Sequence, residues 1–388
     1  MSGAVGDTVS GIPALSQLPA GIVNLAGHEA HARSMLDENA WAYFAGGAGD
    51  EITLRENRQS WDHLRLVPRV LRDLRGGHLR TRLLGRELAH PLLLAPVAFQ
   101  KMAHADGELA SALAAAMLGA GLVLSSQSSC LLEDVARISL AESTRGPLWF
   151  QLYFQHDRGF LRDLIARVES AGYEALVLTV DASCSGARDR ERRAGFVLPP
   201  GVSAVNLAGL PPQATTSLAP GQSAMFDHLL AHAPTWDDIA WLREQTRLPI
   251  LLKGVLHPDD ARLAQEHGAA GVIVSNHGGR TLDTVPATAE MLPRVRQAVG
   301  EDYPLLVDGG IRRGTDILKA IALGANAVLI GRPYVFGLAN AGAMGVAHVI
   351  RLLCDELEIA MALAGVATLQ QARGGEVLAS RPGCDTRP

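Results

Sequence analysis

The sequence has 388 residues, of which 48% are hydrophobic and 19% are charged. This composition is typical of a globular protein with a large core and excludes an intrinsically disordered chain. The net charge is −5, from 35 basic and 40 acidic residues, and no dense run of lysine or arginine occurs. We therefore expect no nucleic-acid partner and no polybasic membrane surface.

The four cysteines, Cys130, Cys184, Cys354 and Cys384, are scattered and form no CxxC pair. This spacing argues against a disulfide framework and against a structural zinc site, so no bound metal is expected. The first residues lack the basic and apolar regions of a signal peptide, and no later apolar run seen in the sequence reaches the length of a membrane span. We expect a cytoplasmic protein without a membrane attachment.

The chain begins with a segment, residues 1–27, that is predicted to be loose. Residues 28–45 carry apolar side chains at helical spacing and stop at two glycines, which predicts one helical extension before the main domain. From residue 91 onward, short runs rich in Val, Leu and Ile recur eight times. These runs are PLLLAPVA (91–98), LVLSSQ (122–127), LWFQLYF (148–154), ALVLTVDA (175–182), PILLKGV (249–255), GVIVSNHG (271–278), PLLVDGG (304–310) and AVLIGRP (327–333).

Amphipathic segments at residues 107–121, 259–271 and 315–327 separate several of these runs and are predicted helices. Buried strands that alternate with helices indicate an α/β protein with a parallel sheet covered on both faces. Eight strand–helix units fit a closed (β/α)₈ TIM barrel. A doubly wound open sheet is the competing arrangement.

The predicted barrel domain covers residues 28–375 and is followed by a C-terminal tail at residues 376–388. One segment interrupts the regular alternation of strands and helices. Residues 183–234, after the fourth strand, are rich in Ala, Pro, Gly and Ser and have no helical or strand period. A connection of this length in a compact barrel predicts a lid-like insertion or a disordered loop.

Reactive side chains gather at the predicted carboxyl ends of the strands, where TIM barrels place their catalytic groups. Each one alone has an ordinary structural explanation, such as a helix cap or a core ion pair. Their occurrence together on one rim favours a functional site. The residues are Pro96, Val97, Ala98, Ser126, Gln127, Gln151, Tyr153, Thr179, Asp181, Lys253, Ser275, His277, Arg280, Asp308, Gly309, Gly310, Arg312, Gly331 and Arg332.

Glycine-rich turns with nearby arginines follow the seventh and eighth strands, in VDGGIRRGTD and IGRPY. Bare amide groups at this part of a TIM barrel commonly bind a phosphate. The alternative is that the glycines only permit tight left-handed turns. A phosphate site predicts a phosphorylated cofactor or substrate.

Lys253 is the only lysine at a predicted strand end, and a buried cation can stabilise negative charge on a bound ring system. Gln151, Thr179 and Ser126 could hydrogen-bond the polar edge of such a ring. No GxGxxG turn for a dinucleotide follows an early strand. FMN, a flavin ring with one phosphate, therefore matches these residues.

Eight motifs occur in an order that resembles the FMN-dependent α-hydroxy acid oxidases and dehydrogenases, the family of glycolate, lactate and mandelate oxidases. The resemblance extends from about residue 28 to about residue 375, and SNHGGR with DGGIRRGTD is its most specific part. The motifs are WAYFAGGAGDEITLRENR, LAPVAFQKMAHADGE, WFQLY, LTVDA, LLKGV, VSNHGGRTLD, VDGGIRRGTDILKA and IGRPYVFG.

The resemblance implies a role for each matching residue. His277 would be the base that takes a proton during oxidation of the substrate C–OH, whether carbon loses a hydride or a proton, and Asp181 would orient it. Arg188 and Arg280 would clamp the substrate carboxylate. The remaining substrate-binding residues would be Tyr43, Tyr153, Gln127 and Ala98.

The same resemblance implies where FMN binds. Lys253 would lie near the N1/O2 edge of the ring and Asp308 on the ribityl chain. The other ring contacts would be Pro96, Val97, Ala98, Ser126, Gln151, Thr179 and Ser275. The phosphate contacts would be Gly309, Gly310, Arg312, Gly331 and Arg332.

The pocket for the substrate side chain differs from the family pattern. Gln127 stands where several relatives have an apolar or aromatic residue, and Ser185 is smaller than is frequent in relatives. The resemblance implies oxidation of an (S)-2-hydroxy acid to a 2-oxo acid, with oxygen reduced to hydrogen peroxide, by a homotetramer. The alternatives are a dehydrogenase that uses a quinone or another acceptor and an inactive barrel that only binds FMN or a phosphate.

Overall fold

The computed structural model describes residues 17–212, 221–230 and 233–379. A short antiparallel hairpin precedes eight parallel strands. The strands are β1 (Thr81–Leu83), β2 (Arg86–Leu88), β3 (Leu92–Leu94), β4 (Gly121–Ser125), β5 (Leu148–Leu152), β6 (Ala175–Thr179), β7 (Ile250–Val255), β8 (Gly271–Val274), β9 (Leu305–Val307) and β10 (Ala327–Ile330).

Strands β3 to β10 form a closed barrel in chain order, because β10 pairs with β3 as well as with β9. The prediction of a (β/α)₈ barrel is confirmed, and the open doubly wound sheet is wrong. Each of the eight apolar runs overlaps one of these strands. Except in the run of β7, the last residues of the runs leave the sheet and form the rim.

Three helices precede the strands, and the others follow or lie between them and supply the outer layer. They are α1 (Leu25–Met35), α2 (Glu38–Ala45), α3 (Ile52–His63), α4 (Gly107–Met117), α5 (Leu132–Leu140), α6 (Arg158–Ser170), α7 (Asp189–Ala194), α8 (Trp236–Gln245), α9 (Pro258–Glu266), α10 (Thr288–Val299), α11 (Gly314–Ala322), α12 (Arg332–Ala364) and α13 (Leu369–Ala372). Short 3₁₀ turns lie at Gln100–Met102 and Val205–Leu207, and a π-helical turn lies at Ala224–Leu229.

The strands are buried on both faces because alternate side chains enter two separate cores. Residues such as Val123, Val177 and Leu251 pack inside the barrel. Their neighbours, such as Leu124 and Leu252, pack outward in the core that contains the helices. This double burial explains why the strands appear in the sequence as continuous apolar runs rather than as alternating patterns.

The helical extension is two helices rather than the single helix predicted for residues 28–45. Helix α1 begins at Leu25 and ends at Met35, and Leu36 has an extended backbone. The side chain of Asp37 then accepts a hydrogen bond from the amide of Ala40, at 2.7 Å, and caps α2. The apolar spacing is continuous through this break, so the N-cap preference of aspartate outweighs it.

The described part of the predicted tail is attached to the domain. Val377 is buried, and its carbonyl accepts a hydrogen bond from the amide of Val67 at 2.8 Å. The amide of Ala379 donates to the carbonyl of Arg65 at 2.9 Å. Residues 1–16 and 380–388, which include Cys384, lie outside the described residues.

Helix α12 is long and apolar enough, by length and composition, to cross a membrane. The sequence-based statement that no apolar run has this length is therefore wrong. In the structure, 72% of the apolar window is buried inside the protein, as expected of a core helix. The helix is also kinked at Ala341 and Gly342, where the backbone leaves the helical region.

The insertion at residues 183–234 is partly folded. It contains α7 and the turns at Val205–Leu207 and Ala224–Leu229, whereas residues 213–220 and 231–232 lie outside the described residues. Asn206 is fully buried and fastens this segment to the barrel. Its side chain accepts a hydrogen bond from the amide of Leu132 at 2.9 Å and donates one to Oγ of Ser128 at 2.8 Å.

Candidate active site

A cavity of about 720 Å³ lies at the carboxyl ends of the barrel strands. Its volume falls in the range of about 300–1,000 Å³ that is usual for small-molecule sites. The sequence-predicted residues that line it are Tyr43, Pro96, Val97, Ala98, Gln127, Tyr153, Arg188, Lys253, His277, Arg280, Asp308, Gly309, Gly310, Arg312, Gly331 and Arg332. The other predicted residues are linked to this wall by the hydrogen bonds given below; they are Ser126, Gln151, Thr179, Asp181 and Ser275.

His277 and Asp181 form a hydrogen-bonded pair beside the cavity. Nδ1 of His277 lies 3.0 Å from Oδ1 of Asp181, because β6 and β8 end at the same rim. A carboxylate only accepts hydrogen bonds, so we assign the proton of the neutral ring to Nδ1, which leaves a lone pair on Nε2. His277 has a φ of 56°, a conformation that is uncommon for residues other than glycine and is concentrated at functional sites.

The protonation states of this pair suit a general base. The pKa of His277 is lowered, chiefly by burial and further by the charges of Lys253 and Arg280, although the hydrogen bond and charge of Asp181 raise it. Burial raises the pKa of Asp181, but the hydrogen bond from His277 and the nearby positive charges outweigh it, and the net pKa is lowered. At neutral pH the imidazole is therefore neutral and the carboxylate ionised, as proton abstraction requires.

Gly254 makes room for Asp181. The pairing of β7 with β8 is irregular between Lys253 and Val255, and Gly254 has a φ of +107° there. A Cβ at Gly254 would lie 2.4 Å from Cγ of Asp181. Only glycine avoids this overlap and adopts this backbone without strain. Sequence reasoning missed Gly254, although its position directly after Lys253 inside an apolar strand was a signal for a bulge.

Two arginines face the same cavity. Nε of Arg188 donates to the carbonyl of Arg280 at 3.3 Å. The guanidinium of Arg280 lies 4.9 Å from the ring centre of Tyr43 and donates to the carbonyls of Tyr43 and Gly46. Burial, and then the charge of Arg188, lower the pKa of Arg280. Two adjacent guanidinium groups in a cavity favour binding of an anion.

Glu191 is a second residue that sequence reasoning missed. Its carboxylate lies 3.2 Å from Nη1 of Arg188 and 3.2 Å from Nη2 of Arg280. Glu191 is on α7, inside the insertion that has no sequence period. The only signal available from the sequence was its position three residues after Arg188, which precedes α7.

Aromatic side chains cover the outer part of the cavity. The rings of Tyr43 and Phe196 are stacked with a centroid distance of 5.0 Å, and Phe196 comes from the insertion. Burial raises the pKa of Tyr43 and of Tyr153, so both hydroxyl groups stay protonated and can donate hydrogen bonds. Phe196 was not predicted, because nothing in the sequence shows how the insertion folds back.

Three residues, Lys253, Ser275 and Asp308, form the floor of the cavity. Nζ of Lys253 donates to Oγ of Ser275 at 2.9 Å and lies 3.0 Å from Oδ2 of Asp308. Burial lowers the pKa of Lys253, but the carboxylates of Asp308 and Asp181 outweigh it and raise the pKa above its ordinary value. The floor therefore holds a fixed positive charge. Oγ of Ser275 also accepts a hydrogen bond from the amide of His277, at 3.1 Å.

A row of polar side chains continues from this floor toward β4. Nε2 of Gln151 donates to Oγ1 of Thr179 at 3.0 Å. Oε1 of Gln151 accepts from Oγ of Ser125 at 3.2 Å and from the amide of Ser126 at 3.3 Å. Ser125, the last residue of β4, also lines the cavity.

The glycine turns after β9 and β10 have the features of a phosphate site. Gly309 and Gly310 have φ values of +92° and +78°, and a Cβ at Gly310 would lie 2.1 Å from the carbonyl oxygen of Asn57. Among the described residues, the amides of Gly309, Gly310 and Gly331 meet no hydrogen-bond acceptor. The long helix α12 also starts here, and its N-terminus favours an anion.

Arg312 and Arg332 flank these turns but are placed differently. The side chain of Arg312 donates to its neighbouring carbonyl, of Ile311, at 3.1 Å. Arg332 donates to the carbonyls of Phe44, Gly278 and Gly46. Burial, and then the charges of Arg280 and Arg312, lower the pKa of Arg332 to about 9. Glu29 lies 4.0 Å from Nε of Arg312, and a bound anion would further stabilise this cluster of cations.

These features fit FMN. Oγ of Ser126 and Oδ1 of Asp308 are buried and have no hydrogen-bond partner among the described residues. Buried polar atoms are normally hydrogen-bonded, so a ligand is expected to supply their partners. Lys253 and Asp308 would hold the ring and the ribityl chain. The free amides of Gly309, Gly310 and Gly331, with Arg312 and Arg332, would hold the phosphate. The cofactor is FMN.

Comparison with known proteins agrees with this geometry. The family model described as FMN-dependent dehydrogenase matches residues 32–378. An L-lactate oxidase from Alicycliphilus denitrificans is 51% identical over 354 residues, which are 91% of this chain and 95% of that protein. Glycolate oxidase 1 from Zea mays is 44% identical over 355 residues, which are 90% and 94% of the two chains.

A solved structure has the same fold. Mandelate oxidase with (S)-2-phenylpropionate superimposes with a TM-score of 0.82 at 40% identity, over 93% of this chain and 99% of that one. The family-model match, residues 32–378, includes the barrel that places the His277–Asp181 pair, the floor and the glycine turns on one rim. This protein therefore belongs to the FMN-dependent dehydrogenase family.

Proposed function

We propose that this protein uses bound FMN to oxidise an (S)-2-hydroxy acid to the corresponding 2-oxo acid. Molecular oxygen is the final electron acceptor and is reduced to hydrogen peroxide. The observation that carries the proposal is the neutral His277, held by ionised Asp181, in the same cavity as Arg188 and Arg280. A 2-hydroxy acid has a carboxylate, a hydroxyl and a reactive C–H bond. In this cavity the two arginines can bind the carboxylate, and the base His277 can take the proton of the hydroxyl.

His277 receives the substrate proton on Nε2, because Nδ1 already donates to Asp181. As the imidazole becomes positively charged, the carboxylate of Asp181 stabilises it in a buried site where the interaction is stronger than in water. The strained backbone of His277 and the hydrogen bond from its amide to Ser275 fix the direction of the ring. The pair thus supplies both a base and its orientation.

Arg188 and Arg280 bind the substrate carboxylate, a task that suits planar guanidinium groups. The protonated hydroxyl groups of Tyr43 and Tyr153 donate further hydrogen bonds to the substrate. FMN, when bound, supplies the two-electron acceptor for the oxidation and the site at which oxygen takes up the electrons. The Lys253 charge in the floor stabilises negative charge that develops on the ring side of the cavity.

The substrate is proposed to be a small aliphatic acid, with L-lactate as the first candidate. Three relatives named L-lactate oxidase are 46–51% identical to this chain, whereas the glycolate oxidases among the relatives are 41–44% identical. Ala98 leaves space beside the cavity wall. The side-chain amide of Gln127 borders the same cavity and makes no hydrogen bond among the described residues, so a polar group on the substrate side chain is also accommodated.

Anaerobic reduction of the purified yellow protein tests the proposal. Both enantiomers of lactate, glycerate and mandelate, together with glycolate, are mixed with the protein, and the loss of flavin absorbance is followed. The proposal predicts rapid bleaching by (S)-lactate and slow or no bleaching by (R)-lactate. Admitted oxygen should then restore the colour with one hydrogen peroxide per oxygen consumed. Bleaching without reoxidation by oxygen would indicate a dehydrogenase, and absence of bleaching by every acid would indicate an inactive barrel.

We also propose that the protein is a cytoplasmic homotetramer. The support is the resemblance to a family whose members are commonly tetramers. Light scattering coupled to size-exclusion chromatography tests the assembly, since a tetramer of 41.1 kDa chains has four times the mass of the monomer.

A further inference from the structure

The carboxylate of Glu191 lies between the two guanidinium groups that face the cavity. Oε1 is 3.2 Å from Nη1 of Arg188 and 3.2 Å from Nη2 of Arg280, and Oε2 is 3.5 Å from Nη1 of Arg188. The side chains of Glu191 and Arg280 are 14% and 13% exposed, so their interaction is only partly screened by water. Glu191 therefore already uses N–H groups that a substrate carboxylate would need.

Other charged side chains of α7 are engaged elsewhere. Arg190 pairs with Glu51 at 2.6 Å, and Arg192 and Arg193 pair with Asp189. Glu191 is the residue of this helix that lines the cavity. Its placement between the arginines is thus specific to one side chain and is not a general property of a charged surface helix.

We propose that Glu191 is a specificity-determining residue that limits the arginine pair to a substrate with a single carboxylate. The inference rests on the proposed function, since it assigns Arg188 and Arg280 to the substrate. The two guanidinium groups and the carboxylate of Glu191 together carry one net positive charge. A monocarboxylate neutralises that charge, whereas the second carboxylate of a dicarboxylate is repelled by Glu191.

Coulomb's law gives the proposal a distinctive consequence. Removing the Glu191 charge changes the binding free energy of an anion in proportion to the anion's own charge. A dianion therefore gains about twice the free energy that a monoanion of similar size gains, whatever the effective dielectric constant. A general loosening of the cavity has no such dependence on charge and weakens both anions.

The test is titration of the FMN-loaded protein with acetate and with oxalate, followed by the change in flavin absorbance, in the wild type and in Glu191→Gln. We expect Glu191→Gln to bind acetate about 10-fold more tightly and oxalate about 30- to 100-fold more tightly. The kcat/KM for malate relative to lactate should rise by the quotient of these two factors, about 3- to 10-fold. Glu191→Asp keeps the charge and should keep the wild-type ratio of the two dissociation constants.

Asp189→Asn is the matched control, because it removes a carboxylate from the same helix without touching the cavity; it should leave both dissociation constants unchanged. Equal tightening of acetate and oxalate in Glu191→Gln, weaker binding of both, or no change overturns the proposal. The binding readout does not need turnover. If no hydroxy acid bleaches the flavin, the proposed function fails, while the dependence on anion charge is still measured.

Discussion

The floor and the roof of the cavity are built in different ways. The floor consists of Lys253, Ser275 and Asp308, which the barrel strands fix; the side chains of Lys253 and Asp308 are 5% and 7% exposed. The roof consists of Arg188, Glu191 and Phe196, which come from the insertion, and Arg188 is 20% exposed. A rigid floor suits the chemistry, which tolerates little misplacement, whereas a roof on a loop suits binding and selection of the substrate.

The base, His277, lies beside the floor, and its removal should have the largest effect on the rate of flavin reduction. We expect His277→Ala to lower the rate of anaerobic flavin reduction by about 10⁴-fold, at the upper end for general base catalysis, because His277 is the one histidine among the described residues that line the cavity. FMN should remain bound, since the floor and the glycine turns are unchanged. Stopped-flow spectroscopy measures the rate. A loss below tenfold would contradict the assignment of His277 as the base.

Removing the floor cation should have the next largest effect. Lys253→Met is expected to lower the rate of flavin reduction by about 10²–10³-fold, because a preorganised charge beside the ring is lost. It also leaves the buried Asp308 without its partner, which costs about 3–5 kcal/mol in the free energy of unfolding. The double variant Lys253→Met with Asp308→Asn should recover stability in denaturant unfolding but not the rate. Recovery of both would reduce Lys253 to a structural role.

Gly254→Ala should disturb the base indirectly, by pushing Asp181 away from His277. We expect flavin reduction to slow by about 10²-fold, the typical cost of a misplacement near 1 Å. Asp181 raises the pKa of His277, so its displacement lowers that pKa further, and the acid limb of kcat/KM should move to lower pH as in Asp181→Asn. Gly201→Ala is the control, since Gly201 has a φ of +82° and open space around it. An unchanged pH profile in Gly254→Ala would disprove the coupling.

The same contrast explains what the sequence could predict. Apolar runs such as those around Val177 and Leu251 are buried on both faces, and this pattern alone indicated the barrel and its rim. The rim then brought His277 and Asp181 together, although 96 positions separate them in the chain. Gly254 could not be recognised, because its role depends on a contact with a side chain from another strand.

The roof could not be predicted for a different reason. Glu191 and Phe196 lie in a segment whose path depends on distant anchors such as Asn206, and a local pattern contains no information about these anchors. The break between α1 and α2 shows the opposite case. There the N-cap preference of Asp37 was a local signal for a new helix, but the continuous apolar spacing of residues 28–45 concealed the break.

The roof should show the smallest effect, on binding rather than on rate. Phe196→Ala removes the ring stacked on Tyr43, and an aromatic pair contributes about 0.5–1.5 kcal/mol beyond its buried area. We expect KM for lactate to rise about 2- to 10-fold while the limiting rate of flavin reduction changes by less than about 3-fold, because the floor and the base are untouched. Phe226→Ala is the matched control, since Phe226 lies in the same insertion but is 72% exposed. A fall in the limiting rate comparable to that of Lys253→Met would show that the roof takes part in the chemistry, and the division between a catalytic floor and a binding roof would then be wrong.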